Sequence, residues 1–186
     1  MAAAGAPAAA QNYSESYTFI KAVKDRDGAK VETVLAKPGS IAGSAKEAGT
    51  GNGALHLVAM DRDLSWLGFL LMKGLKVDAR NAEGQSPLAM AAQLGWVEGA
   101  ELLLRRGASV NLPNSRGETP LILAVQKRDL SMVRLLLARG ANPKHTDSVA
   151  GLSAVDYARR DGRAAAIVKL LETPQAAPRK MQGPTL

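Results

Sequence analysis

Short apolar runs alternate along most of the chain with glycine-bearing polar turns. "LAMAAQLG" from Leu88 is a compact, Ala-rich run, and after a turn it is followed by a longer leucine-rich run with Leu102, Leu103 and Leu104. Both read as helices. Ser86-Pro87 and Thr119-Pro120 each put a side-chain oxygen at an N-cap and a proline at the first helical position, where the missing N–H costs nothing. The second run extends from about Val97 to Arg106 and stops at Gly107, where a left-handed residue closes the helix. The stretch "ASVNLPNSRG" that follows is extended and turn-forming.

This unit recurs. The segments "GNGALHLVA", "EGQSPLAMAA", "RGETPLILAV" and "AGLSAVDYAR" align with turn glycines at Gly51, Gly84, Gly117 and Gly151, spaced by 33, 33 and 34 residues. A second signature follows the first three glycines: "FLLMKGLKVD", "LLLRRGASVN" and "LLLARGANPK". Spacing, cap, proline and terminal glycine together resemble the ankyrin repeat, whose pattern includes T-P-L-H-x-A. The resemblance implies an all-α solenoid of stacked helix-turn-helix units with β-hairpin-like finger loops.

We place repeats at residues 48–80, 81–113, 114–146 and 147–172. The first has Gly53-Ala54 in place of Thr-Pro but keeps Leu55 and His56, and the fourth has Ser153-Ala154 with one residue inserted in "DSVAG". Residues 16–40 carry the same helical pair as a degenerate N-terminal repeat, with Asp25-Arg26-Asp27 lying over Asp61-Arg62-Asp63. One unit buries too few apolar side chains to offset the ordering of its backbone, so neighbours must share one continuous core over residues 16–172. The fourth unit suits the end of the stack, because Arg159, Arg160, Arg163 and Lys169 stand where inner repeats are more apolar.

Three segments fall outside the array. Residues 38–53, "PGSIAGSAKEAGTGNG", predict a glycine-rich, mobile connection, and residues 173–186 predict a disordered tail. Residues 1–15 read as an Ala-rich disordered leader or a signal-peptide remnant, since Ala8 and Ala10 before Gln11 have the small-x-small form of a bacterial cleavage site. The compartment is then periplasmic or extracellular if residues 1–10 are a truncated signal, and cytoplasmic otherwise.

Composition narrows the chemistry. Aromatic residues make up 4 % of the chain, which calls for an aliphatic interior of small regular units, and no run of eighteen apolar residues exists to span a bilayer. Without cysteine there are no disulfides, thiolate nucleophiles or thiolate metal sites. His56 and His145 lie on different repeats without a metal-binding pattern. The resemblance gives His56 the loop-bracing role of the T-P-L-H histidine, and His145 reads as a solvated loop residue. "GTGNG" does not complete a phosphate-binding motif, and no G-x-S-x-G is present. No catalytic residue, cofactor site or metal site is expected.

Charge is uneven. Residues 1–100 hold ten Lys/Arg against ten Asp/Glu, whereas 101–186 hold fourteen against seven, so the whole excess of +7 is in the second half. A scattered solvated face and an acidic protein partner both fit this distribution. Nucleic acid or an anionic surface is the alternative partner, disfavoured because Tyr157 is the only aromatic residue after Trp96 on which a base would stack. Trp66, beside Leu67, Leu70 and Leu71, is expected in the core, and Trp96 half exposed.

The expected function is therefore non-catalytic binding of another protein by a monomeric scaffold. The resemblance implies contacts on the concave face, from finger tips and first-helix ends. On this chain those positions are Thr50, Asn52, Met60 and Asp61, then Glu83, Gln85, Gln93 and Leu94. They continue with Arg116, Glu118, Gln126 and Lys127 and end at Arg160 and Asp161. Met60 and Leu94 stand out as apolar residues that would form a small hydrophobic centre ringed by charge.

Overall fold

The computed structural model describes residues 8–173, with side chains from residue 15 onward. The tail expected at 173–186 and the first seven residues of the expected leader lie outside this range, save Thr173 itself. Among the described residues the helices form five pairs. They are α1 (Ala8–Lys24) with α2 (Gly28–Leu35), α3 (Ala54–Asp61) with α4 (Leu64–Met72), and α5 (Pro87–Leu94) with α6 (Val97–Arg105). The array continues with α7 (Pro120–Gln126) and α8 (Leu130–Ala138), then α9 (Ala154–Arg160) and α10 (Ala165–Glu172). Helix α1 begins at Ala8, inside the segment expected to be a disordered leader.

The first helices α1, α3, α5, α7 and α9 stack in an inner layer, and α4, α6, α8 and α10 form an outer one. Burial follows the sequence pattern. In α5 the run from Pro87 to Ala92 is buried on every side, its three alanines letting neighbouring backbones approach, and in α7 so is the bulkier run from Pro120 to Val125. Outer helices bury one face only, as Leu103 of α6 and Leu136 of α8 do.

Helix starts are capped as the residue types dictate. The oxygens of Ser86, Thr119 and Ser153 accept from the N–H groups of Ala89, Ile122 and Asp156. Asp27, Asp63 and Asp129 do the same for the second helices α2, α4 and α8. Helix α6 has Trp96 at its N-cap and no side-chain cap. Trp96 is only 5 % exposed, contrary to the half-exposed position expected for it. The reason is Gly99, where a Cβ would fall 2.1 Å from the ring carbon Cε3, so the indole lies flat over bare backbone.

The connection 38–53 also differs from expectation. It contains a 3-10 turn at Ala42–Ser44, buries Ala42 and Ala45 in the core, and closes with an antiparallel bridge between Lys46 and Gly53. Its glycines suggested mobility, but two alanines anchor it and it ends as a finger like the others. Fingers are tied to one another through the main chain. The Ala82 N–H donates to the Thr50 carbonyl at 3.1 Å, Ser115 to Glu83 at 3.0 Å and Ser148 to Arg116 at 2.9 Å. At Gly117, with φ of 77°, a Cβ would lie 2.5 Å from the Ser148 nitrogen, so close approach as well as the left-handed turn requires glycine there.

A further link was not foreseen. Between first and second helices, Arg26, Arg62 and Arg128 adopt left-handed backbone conformations, with φ of 58°, 54° and 55°. Each reaches the next pair: Arg26 bonds Asp61 and Asp63, Arg62 the Leu94 carbonyl, and Arg128 Asp161. Gly95 occupies the same turn between α5 and α6.

Candidate functional site

Two adjoining grooves run between the fingers and the ends of the inner helices. The first, of about 470 Å³, lies between the fingers at Thr50 and Glu83 and is lined by Met60, Met90, Leu94, Asn52, Gln85 and Gln93. The second, of about 420 Å³, lies between the fingers at Glu83 and Arg116, and its lining includes Gln85, Gln93, Asn114, Glu118, Leu123 and Gln126. Glu83, Gln85 and Gln93 are the wall common to both.

A bracket eight residues long builds each groove floor. The Gln85 amide donates to Gln93 Oε1 at 2.5 Å, the Gln126 amide to Glu118 Oε1 at 3.2 Å, and the Asn52 amide to Met60 Sδ at 3.6 Å. These bonds tie the finger base to the last turn of the following helix. The finger itself is held by Asn81, whose Oδ1 accepts from the N–H groups of Glu83 and Gln85, and by Asn114 in the same way for Arg116 and Glu118.

The candidate residues divide accordingly. Met60, Glu83, Gln85, Gln93, Leu94, Arg116, Glu118 and Gln126 line the grooves, whereas Asp61, Lys127 and Arg160 do not. Asp61 is paired with Arg26 at 2.7 Å, and Lys127 and Arg160 stand exposed. Gln85 and Glu118 are corrections to the expected geometry. Both are buried, because their brackets draw them under the finger, so they form floor rather than protruding tips. Met60 is 54 % exposed and Leu94 half-buried, and the two face one groove together with Met90, which the sequence reading did not single out. Asn81 and Asn114 were missed as well, although their 33-residue separation was visible.

His56 is fully buried. Its Nδ1 accepts from the Gly53 N–H at 3.2 Å and its Nε2 donates to the Gln85 carbonyl at 2.8 Å, and burial holds its pKa below the ordinary 6.5. It braces the loop as expected. His145 is half-buried in its loop. Trp66 is half-buried against the core, edge-on to Phe69 with centroids 5.1 Å apart and with the Arg26 guanidinium 5.4 Å above it. Among the described residues no cluster of His, Asp and Glu has the makings of a metal site, and no helix is long and apolar enough to cross a membrane.

Five stacked helical pairs joined by ladder-bonded fingers, with the first helices inward, define an α-solenoid of short repeats. The family model of ankyrin repeats (3 copies) matches residues 19–114 and 55–147, which together span well over half of the chain. The chain belongs to the ankyrin repeat family. No curated protein matches it.

Proposed function

We infer that this chain works as ankyrin repeats generally do, by protein–protein interaction. We propose that this chain, as a monomer, binds a partner protein on its concave face without catalysis. The supporting observation is the pair of contiguous grooves, apolar at Met60 and Leu94 and rimmed by polar and charged groups, which is the composition of a small interface centre. Lys127 and Arg160, exposed at the ends of neighbouring inner helices, favour an acidic surface on that partner beyond the grooves.

The test begins with capture of the partner by the full chain, followed by surface plasmon resonance at two salt concentrations. Leu94→Ser should speed dissociation. Lys127→Glu combined with Arg160→Glu should slow association and remove its salt dependence, with the melting temperature almost unchanged. If both variants bind like wild type, the concave face is not the site.

A further inference from the structure

The two grooves differ in chemistry, and the difference specifies what a partner must present. In the first, the apolar wall is Met60, Met90 and Leu94, and the thioethers give it an adjustable shape suited to a long unbranched side chain. In the second, two carboxylates face one cation. Glu118 has a side chain only 7 % exposed, with one oxygen accepting from Asn114 at 2.9 Å and the other from Gln126 at 3.2 Å. Both donors are neutral amides, which orient a carboxylate without neutralising it. The cation, Arg116, is 3.6 Å away and 66 % exposed, so solvent screens most of its attraction. Glu83 adds a second negative charge on the shared wall. Within a chain of net charge +7, this groove is locally negative.

A buried carboxylate without a close, desolvated counter-charge is an unfavourable arrangement that an incoming cation relieves. We propose that the grooves bind an extended segment of the partner protein that places a leucine or methionine between Met60 and Leu94 and a lysine or arginine against Glu118 and Glu83. This rests on the concave-face reading above and adds the identity of the anchoring side chains. Stacked helices are about 8 to 10 Å apart and an extended chain advances about 3.3 Å per residue, so the two anchors are about three residues apart. The segment is thus apolar and basic at the grooves, while any acidic part of the partner lies toward Lys127 and Arg160.

The experiment is selection from a displayed library of random peptides, about twelve residues long so as to span both grooves, on the purified full chain. Enriched sequences should share Leu or Met and, about three positions away, Lys or Arg. An enriched peptide, labelled for fluorescence anisotropy, should lose about tenfold in affinity to Leu94→Ser and again to Glu118→Gln. The Glu118→Gln loss should vanish when the peptide's cation is replaced by methionine. Glu83→Gln, at an exposed finger tip, provides a second variant that leaves the floor bracket intact and should weaken binding in the same direction. Enrichment of acidic or purely apolar peptides, or no enrichment, overturns the proposal. Peptides without a cation that still lose affinity to Leu94→Ser overturn it while sparing the concave-face reading. Peptides indifferent to Leu94→Ser and to the paired Lys127→Glu and Arg160→Glu changes sink both.

Discussion

His56 joins two neighbouring helical pairs, because its Nε2–H donates to the main-chain carbonyl of Gln85 while Nδ1 holds the Gly53 N–H of its own finger. Only the neutral ring does both. The folded-state pKa lies below 6.5 through burial, so the unfolded chain binds the proton first as pH falls, and stability rises with pH across that window. Stability should be fully present above about pH 6.5 and decline below it. Thermal melts from pH 7.5 to 5 should show this decline in the wild type and a flatter profile in His56→Gln. Asp63, Asp147 and Asp156 are held below 3.8, so their loss belongs to a separate acid limb that both proteins share. Burial opposes that shift at Asp63 and Asp147 but is outweighed by hydrogen bonds, and at Asp156 the Ser153 hydroxyl bond leads.

Leu121 is completely buried in α7, between the α5 and α9 layers of the core. Leu121→Ala should cost about 2 to 5 kcal/mol through lost burial and the cavity left behind. Urea denaturation is the measurement, and an unchanged midpoint would contradict the placement of the inner layer.

Gly117 and Gly151 make a matched pair. Both have positive φ, so alanine at either meets the left-handed penalty of about 1 kcal/mol. At Gly151 nothing lies within 4 Å of an added Cβ, whereas at Gly117 the Ser148 backbone must move and its bond to Arg116 breaks. Gly117→Ala should therefore be more damaging than Gly151→Ala by about 1 to 3 kcal/mol. Equal losses would show that the fingers are not tied together.

Arg26 carries left-handed strain and several bonds at once. Arg26→Ala keeps the strain and loses the contacts to Asp61, Asp63 and Trp66, and should cost about 1 to 2 kcal/mol, the figure reduced by its partial exposure. Arg26→Gly loses the same contacts but relieves the backbone, and should recover about 1 kcal/mol of that loss. Differential scanning calorimetry of the three proteins, repeated at high salt to weaken the ion pairs, distinguishes the two contributions.

Much of the fold was legible because its determinants are local. Serine or threonine before proline and glycine after the second helix each act within a turn of their own position, as does the aspartate before the second helix, which the structure adds as a cap. What escaped reading depends on partners distant in sequence or on exceptions to local preference. The burial of Gln85 and Glu118 comes from brackets to Gln93 and Gln126 that no propensity encodes. Trp96 sinks into the core because a glycine three residues later lets it. Arginine in a left-handed turn runs against the usual choice of glycine or asparagine, and only the acidic groups and carbonyl of the next pair explain it. The groove residues were placed by the family resemblance; composition alone pointed to the basic half and said nothing of the local negative charge around Glu118.

The arginine turns make the stack directional and uneven under load. Three junctions are crossed by a guanidinium from this turn, whereas the one that starts at Gly95 is crossed farther out, by the Arg139–Glu101 pair at 3.7 Å and by the bonds of Asn111 to Gly140 and Asn142. When the molecule is pulled by its two ends, the seam between the α5–α6 and α7–α8 pairs therefore resists through those outer bonds and through α5 packed on α7, without an arginine at the turn. The shared wall of the grooves sits beside that seam, so a bound segment spanning it would act as a splint, and its presence would be felt as a higher rupture force.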